Sequence, residues 1–128
     1  MASQPADTGT DACDVEAVDP GKVMQALERL PGREEMADLA DLFKLLGDPT
    51  RLRILYALVE TGELCVCDLA AVVGVPETSV SHALRLLRMA GVVRARRDGR
   101  MAFYAIGDHH VRLVLDLAAE HMAHTEQS

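Results

Sequence analysis

The sequence predicts a mainly α fold with a β-hairpin wing, and three observations lead there. Hydrophobic residues make up 49% of the 128-residue chain but aromatics only 3%. A core of Leu, Val, Ala and Met suits packed helices better than a sandwich. Two short amphipathic runs, Val66 to Val73 and Pro76 to Ala90, meet at the tight break Val73-Gly74-Val75-Pro76, which is the helix-turn-helix pattern. Directly after them, Val92 to Arg97 and Arg100 to Ile106 alternate around Asp98-Gly99, the strongest short hairpin signal. A helix-turn-helix followed by a basic hairpin is a winged helix-turn-helix.

The other elements follow in order. Residues 1–20 are rich in Ala, Asp, Thr and Ser and poor in large apolar side chains, so they read as a mobile acidic arm. Residues 21–128 then form the winged domain, a length that fits one domain. Asp19 and Pro20 start a first helix to Leu30, with Val23, Leu27 and Leu30 on one face. Pro31-Gly32 ends it. A second helix, Glu34 to Leu46, carries Met36, Leu39, Ala40, Phe43 and Leu46 as its inner stripe and stops at Gly47. Asp48-Pro49 caps a third, with Leu52, Ile54, Leu55 and Leu58 inside and Thr61-Gly62 at its close. Arg51 and Arg53 on its surface are within reach of phosphate but read as solvated. The last helix runs from Asp108 to about Thr125, with Val111, Val114, Leu115, Ala118 and Met122 in an apolar stripe. No later element covers that stripe, so it is expected to pack against a second subunit in a homodimer, an extra source of stability for so small a core.

Composition narrows the function. No run approaches about 18 apolar residues and no signal-peptide pattern opens the chain, so no membrane and a cytoplasmic location are expected. Three cysteines in a reducing compartment point to thiol or metal chemistry rather than a disulfide framework. The net charge of −7 argues against nucleic acid until its distribution is considered. Asp7, Asp11, Asp14, Glu16 and Asp19 give residues 1–20 a charge of −5. Arg85, Arg88, Arg94, Arg96, Arg97 and Arg100 against Asp98 give residues 85–100 a charge of +5. On the second helix of the pair, Val80, Leu84 and Leu87 face inward. Thr78 and Ser79 near its start, with Ser81, His82 and Arg85, then suit base-edge and phosphate contacts in a major groove. Arg94, Arg96, Arg97 and Arg100 on the wing suit the phosphate backbone. No H-E-x-x-H pattern or catalytic carboxylate cleft is visible, so an enzyme is not expected.

Two groups of residues have metal-ligand chemistry. Cys65 and Cys67 flank Val66 and precede Asp68, two soft thiols and a hard carboxylate within four residues. Residues i and i+2 point about 200° apart on a helix, so both thiols reach one ion only if Cys65 lies in the extended lead-in. The bland reading is two small buried hydrophobes. Two thiolates leave such a site open, and Cys13, set among acids on the arm, is the only other thiol; alone it reads as an idle exposed cysteine. Asp108, His110, His121 and His124 form the second group. His110 and His121 share a face but lie roughly 16 Å apart along the axis, too far for one ion. Two copies of the helix crossing antiparallel would bring Asp108 and His110 of one to His121 and His124 of the other. The bland reading is an acid and histidines placed to complement the helix dipole.

At this point the chain resembles the ArsR/SmtB family of metal-sensing bacterial repressors over roughly Met36 to Glu126. The likeness rests on Leu46-Gly47-Asp48-Pro49-Thr50-Arg51-Leu52-Arg53, Glu63-Leu64-Cys65-Val66-Cys67-Asp68-Leu69-Ala70, Ser79-Val80-Ser81-His82-Ala83-Leu84 and Asp108-His109-His110. The cysteine box looks like that of cadmium/lead sensors of the CadC type, and the last helix like zinc/cobalt sensors of the CzrA type. The resemblance implies a homodimer that binds a pseudo-palindromic operator when metal-free and releases it on binding metal. It also implies a thiolate site joining Cys65 and Cys67 to Cys13 of the other subunit, with Asp68 or water as a fourth ligand. Ala17 stands where the CadC pattern has its second arm cysteine. Three thiolates favour lead and also hold cadmium, while the terminal-helix set suits zinc or cobalt. A thiol redox-sensing repressor of the same fold is the alternative expectation.

Overall fold

In a computed structural model, residues 17–127 are described, with side chains through Thr125. The chain groups into two units, one ending at Ala37 and one starting at Asp38. Six helices and three strands follow in the order α1 (Pro20–Arg29), α2 (Arg33–Leu46), α3 (Pro49–Thr61), β1 (Leu64–Cys65), α4 (Val66–Val73), α5 (Glu77–Met89), β2 (Val93–Asp98), β3 (Met101–Ile106) and α6 (His109–Gln127). The sequence-based boundaries agree to within about two residues.

In the first unit, the Asp19 carboxylate accepts from the backbone N–H of Lys22 at 3.0 Å and caps α1. Pro20 occupies its first turn, where a missing N–H costs nothing. No residue of α1 is buried, and Val23, Leu27 and Leu30 are exposed. The amphipathic face exists, and its apolar residues are exposed among the described residues.

The second unit holds the core. Ile54, Leu55 and Leu58 of α3 meet Leu69 and Val73 of α4 and Val80, Ala83, Leu84 and Leu87 of α5. Val92 and Val93 of the wing and Val111 and Leu115 of α6 complete the cluster. The predicted inner positions of α3 and α5 are therefore inside, except that Leu52 is only partly buried. Of the stripe predicted on α2, only Leu46 is buried, and Leu39 and Phe43 stay exposed. Val111 and Leu115 of α6 face the core, whereas Val114 and Met122 face outward. This helix thus divides its stripe between the core and the surface.

Local chemistry sets the ends of these elements. The Asp48 carboxylate accepts from the backbone N–H of Arg51 at 3.0 Å, in extended backbone ahead of Pro49. Replacing Asp48 by Ala should lower stability by about 1 kcal/mol, read from the urea midpoint, because an orphan N–H of the first turn loses its acceptor. Gly74 ends α4 at φ 77, a left-handed conformation that frees the chain to turn into α5. Gly99 takes φ 63 at the hairpin tip.

One element was not foreseen. Leu64 and Cys65 form a third strand, antiparallel to β3, so the sheet order is β1-β3-β2. Leu64 pairs with Tyr104 and Cys65 with Phe103; on the other side of β3, Arg96 pairs with the same Phe103. The cysteine box therefore belongs to the wing sheet as well as to the helix pair.

Candidate metal centre and nucleic-acid interface

The short strand decides how the two thiols are presented. Cys65 is the residue before α4, at φ −83 and ψ 170. This extended lead-in is what allows residues i and i+2 to face the same way. Its Sγ lies 3.7 Å from that of Cys67, and the thiol of Cys67 is 3.9 Å from the Asp68 carboxylate. Two sulfurs each about 2.3 Å from a zinc-sized ion in a tetrahedral shell stand about 3.8 Å apart. The spacing found is that of two ligands on one metal, and both cysteines are free thiols. Cys65 is buried, Cys67 exposed and Asp68 exposed, so the pair is fixed from beneath and open above.

The second sulfur, and after it the nearby acids, favour the protonated thiol of Cys67. Its hydrogen bond with Cys65 raises its pKa most, followed by the charge of Cys65, burial, and the carboxylates of Asp68 and Glu77. A metal must displace that proton, so its affinity for the box should rise with pH through neutrality. Equilibrium dialysis with cadmium at pH 6 and pH 8 checks this; weaker binding at the higher pH would count against thiolate ligation.

Among the described residues, this box alone brings three metal-ligating groups together, with one ligand atom of each within 4.8 Å of the others. Cys13 lies outside the described residues. The terminal-helix candidates stay apart within one chain. Asp108 caps α6 by accepting from the backbone N–H groups of His110 at 2.8 Å and Val111 at 3.2 Å. The ring of His110 sits 3.9 Å from the same carboxylate. His121 and His124 are exposed about three turns further on.

The DNA-facing candidates of α5 fall on one exposed face. Thr78, Ser79, Ser81, His82 and Arg85 all lie on the open face of α5, while Val80, Ala83, Leu84 and Leu87 anchor its other face. Thr78, Ser79 and His82 line an open polar hollow of about 390 Å³ with Asp48, Thr50 and Arg51 at the start of α3. Sequence reasoning missed Thr50, because only folding brings the starts of α3 and α5 together. Arg51 is not loose there, since its Nε donates to the Leu45 carbonyl at 2.7 Å.

The wing arginines divide by strand alternation. Arg97 shares a sheet face with Val93 and, across the ladder, with Tyr104. That tyrosine lines a hollow with Ser81, Arg85 and Arg88 of α5. Arg94 and Arg96 lie on the opposite face. Arg100 is exposed in the turn. The Arg96 guanidinium is bound by Glu63: Nε donates to both carboxylate oxygens at 3.1 and 2.8 Å, and a terminal nitrogen donates at 2.8 Å. These hydrogen bonds hold the Glu63 carboxyl below the usual carboxylate range, and the charges of Arg96 and Arg94 add to them.

A third surface is apolar. Phe43 and Leu46 of α2 with Gly47 just beyond it, Leu52 and Tyr56 of α3, and α6 from Val114 to Ala123 enclose an open groove of about 640 Å³. The Tyr56 hydroxyl donates to the Leu115 carbonyl at 2.6 Å and locks α3 to α6 at its floor. Phe43 is 55% exposed and Met122 59%, and neighbouring Leu117 is 66% exposed.

Comparison with known proteins places this architecture. Residues 48–95 match the family described as bacterial regulatory protein, arsR family. A cadmium resistance transcriptional regulatory protein CadC homolog from Staphylococcus aureus is 38% identical over 111 residues, covering 87% of this chain and 91% of its own. The chain belongs to the arsR family. Solved structures of transcriptional regulators share its fold. The AntR antimony-specific transcriptional repressor superposes with a TM-score of 0.70 at 34% identity, covering 89% of this chain and all of its own. The homodimeric winged helix-turn-helix DNA-binding domain of Mb0332 from Mycobacterium bovis gives a TM-score of 0.64 at 31% identity, over 75% of this chain and 94% of its own. This arsR-family chain is thus a winged helix-turn-helix transcriptional regulator and not an enzyme. No described helix is long and apolar enough to cross a membrane.

Proposed function

We propose that the chain is a metal-responsive repressor. As a homodimer it binds a pseudo-palindromic operator when metal-free. Binding of divalent cadmium, lead or zinc, with cobalt also admissible, releases the DNA and derepresses metal efflux or resistance genes. The observation that carries this reading is the 3.7 Å thiol pair at the start of α4, about two turns and a tight break ahead of the helix that faces DNA. The names of a cadmium resistance regulator and an antimony-specific repressor among its relatives support it.

Cys65 and Cys67 hold the metal, Cys13 supplies a third thiolate, and Asp68 or water completes the shell. Soft donors select soft ions, which places cadmium and lead here. Asp108, His110, His121 and His124 form a separate, harder site only when two copies of α6 cross. The apolar groove beside α6 is the surface that a second copy would cover. The arm over residues 1–20 carries Cys13 to the box, and residues 21–128 bind DNA and dimerise. Thr78, Ser79, Ser81, His82 and Arg85 meet the major groove, while Arg94, Arg97 and Arg100 meet phosphate. A cytoplasmic location follows from this role.

The thiol-redox alternative loses ground on one observation. The hydrogen bond with Cys65, more than the nearby acids, raises the Cys67 pKa, and a protonated thiol is a poor target for oxidants. The test is operator release followed by fluorescence anisotropy, on a duplex selected from a random pool, with zinc, cadmium and lead in competition. Release by stoichiometric cadmium or lead from wild type and from His121→Ala supports the box as the sensing site. Release by peroxide but by no metal would favour the redox reading.

A further inference from the structure

We propose that Arg96 is not a phosphate contact but a strut which, with Glu63, joins the cysteine box to the wing and carries metal occupancy to the DNA-binding surface. The proposal deepens the metal-responsive reading and rests on it for the signal that the strut carries. It starts from sheet order. β1 and β2 are both paired to β3 and not to each other, so they stand two strand spacings apart, about 9.6 Å. The side chains of Glu63 and Arg96 span that gap. The guanidinium carbon lies 4.8 Å over the ring of Phe103, the residue that pairs with Cys65 on one side and Arg96 on the other. It then meets Glu63 in the bidentate pair.

Each link in this closed circuit is a direct contact. Cys65 is bound through the backbone ladder to Phe103, Phe103 to Arg96, and Arg96 through its guanidinium to Glu63, two residues before Cys65. β1 contributes only two residues to the ladder, so the ladder alone resists rotation of the box poorly. The Glu63–Arg96 fork is a second attachment from the box to β2. A metal joining Cys65 to Cys67 ties the end of β1 to the start of α4, so a shift imposed by its remaining ligands turns the two as one piece. With the fork in place, that turn reaches β2 and its DNA-facing Arg97. A guanidinium held by two carboxylate oxygens and an aromatic face is also poorly placed to serve phosphate.

Salt dependence separates the two roles. Each phosphate contact contributes about −0.9 to the slope of log affinity against log salt. Full-length wild type, Glu63→Gln, Arg96→Gln, the double variant and Arg97→Gln are titrated with the selected duplex from low to high salt, with and without cadmium. Unfolding midpoints check that each variant is folded. The strut predicts that Arg97→Gln, which removes one contact from each protomer of the dimer, makes the slope shallower by about two units, while Arg96→Gln and Glu63→Gln leave it at the wild-type value. Both of the latter should reduce the cadmium-induced loss of affinity at least tenfold, and the double variant should be no worse than either, as for one shared interaction. A slope about two units shallower in Arg96→Gln alone makes Arg96 a phosphate contact in each protomer and overturns the proposal. Full cadmium-induced release in both single variants overturns it too. Wild type that keeps its operator at saturating cadmium sinks the metal-responsive reading instead; the slopes then decide whether Arg96 holds the wing or grips phosphate.

Discussion

Replacing Cys65 by Ser is expected to abolish cadmium- and lead-induced operator release while leaving metal-free DNA binding close to wild type. Serine keeps the size, the extended backbone and the ladder pair with Phe103, so the sheet and the start of α4 should survive. What it removes is the soft donor. Outer-shell changes around a metal typically cost about 10- to 100-fold in affinity, so loss of a ligand atom itself should exceed about 100-fold. Because Cys65 is 4% exposed, water has little room to take its place. Cys67→Ser should act in the same direction but less completely, since that side chain is exposed and solvent can substitute. Metal affinity by competition with a chromophoric chelator, together with anisotropy on operator, checks both halves. Undiminished cadmium release in Cys65→Ser would move the sensing site elsewhere. If release by zinc alone persisted and failed in His121→Ala, the terminal helix would be that place.

The second large effect concerns the recognition helix as a folded object. Leu84 of α5 is 1% exposed, within the cluster formed with Leu55, Leu69 and Val111. Leu84→Ala should destabilise the chain by about 2–5 kcal/mol through lost burial and the cavity left behind. Against a total of about 5–15 kcal/mol, that is a large fraction. Adjacent Arg85 is exposed, and Arg85→Ala should change stability by no more than about 0.5 kcal/mol while weakening operator binding. Urea unfolding with operator titration on the two neighbours therefore separates anchoring from recognition. Equal loss of stability in both variants would contradict the assignment of inner and outer faces.

Which features were legible from sequence follows from their range along the chain. α4 and α5 were readable because Gly74 and Pro76 punctuate two helical periods, and the wing because Asp98-Gly99 sits between alternating runs. β1 was not readable: two residues have no period, and their partner, β3, begins 36 residues after Cys65. The same distance hid the Glu63–Arg96 pair. Four wing arginines looked equivalent as a basic segment, and only the register divides Arg97 from Arg94 and Arg96. Periodicity likewise marked the apolar faces of α1 and α2 without revealing that Val23, Leu27, Leu39 and Phe43 are exposed among the described residues. Helix geometry alone requires Cys65 to be extended if both thiols are to meet one ion, and φ −83 with ψ 170 meets that requirement.

The most direct test of the account follows both ends of the molecule in one cuvette. Cadmium is titrated into the complex of the full chain with fluorescent operator, recording thiolate-to-metal charge-transfer absorption and anisotropy together. Metal entering the Cys65–Cys67 pair and causing release predicts that absorbance and anisotropy break at the same stoichiometric cadmium, and that both changes vanish in Cys65→Ser. Thiolate absorbance that saturates while the operator stays bound would contradict it.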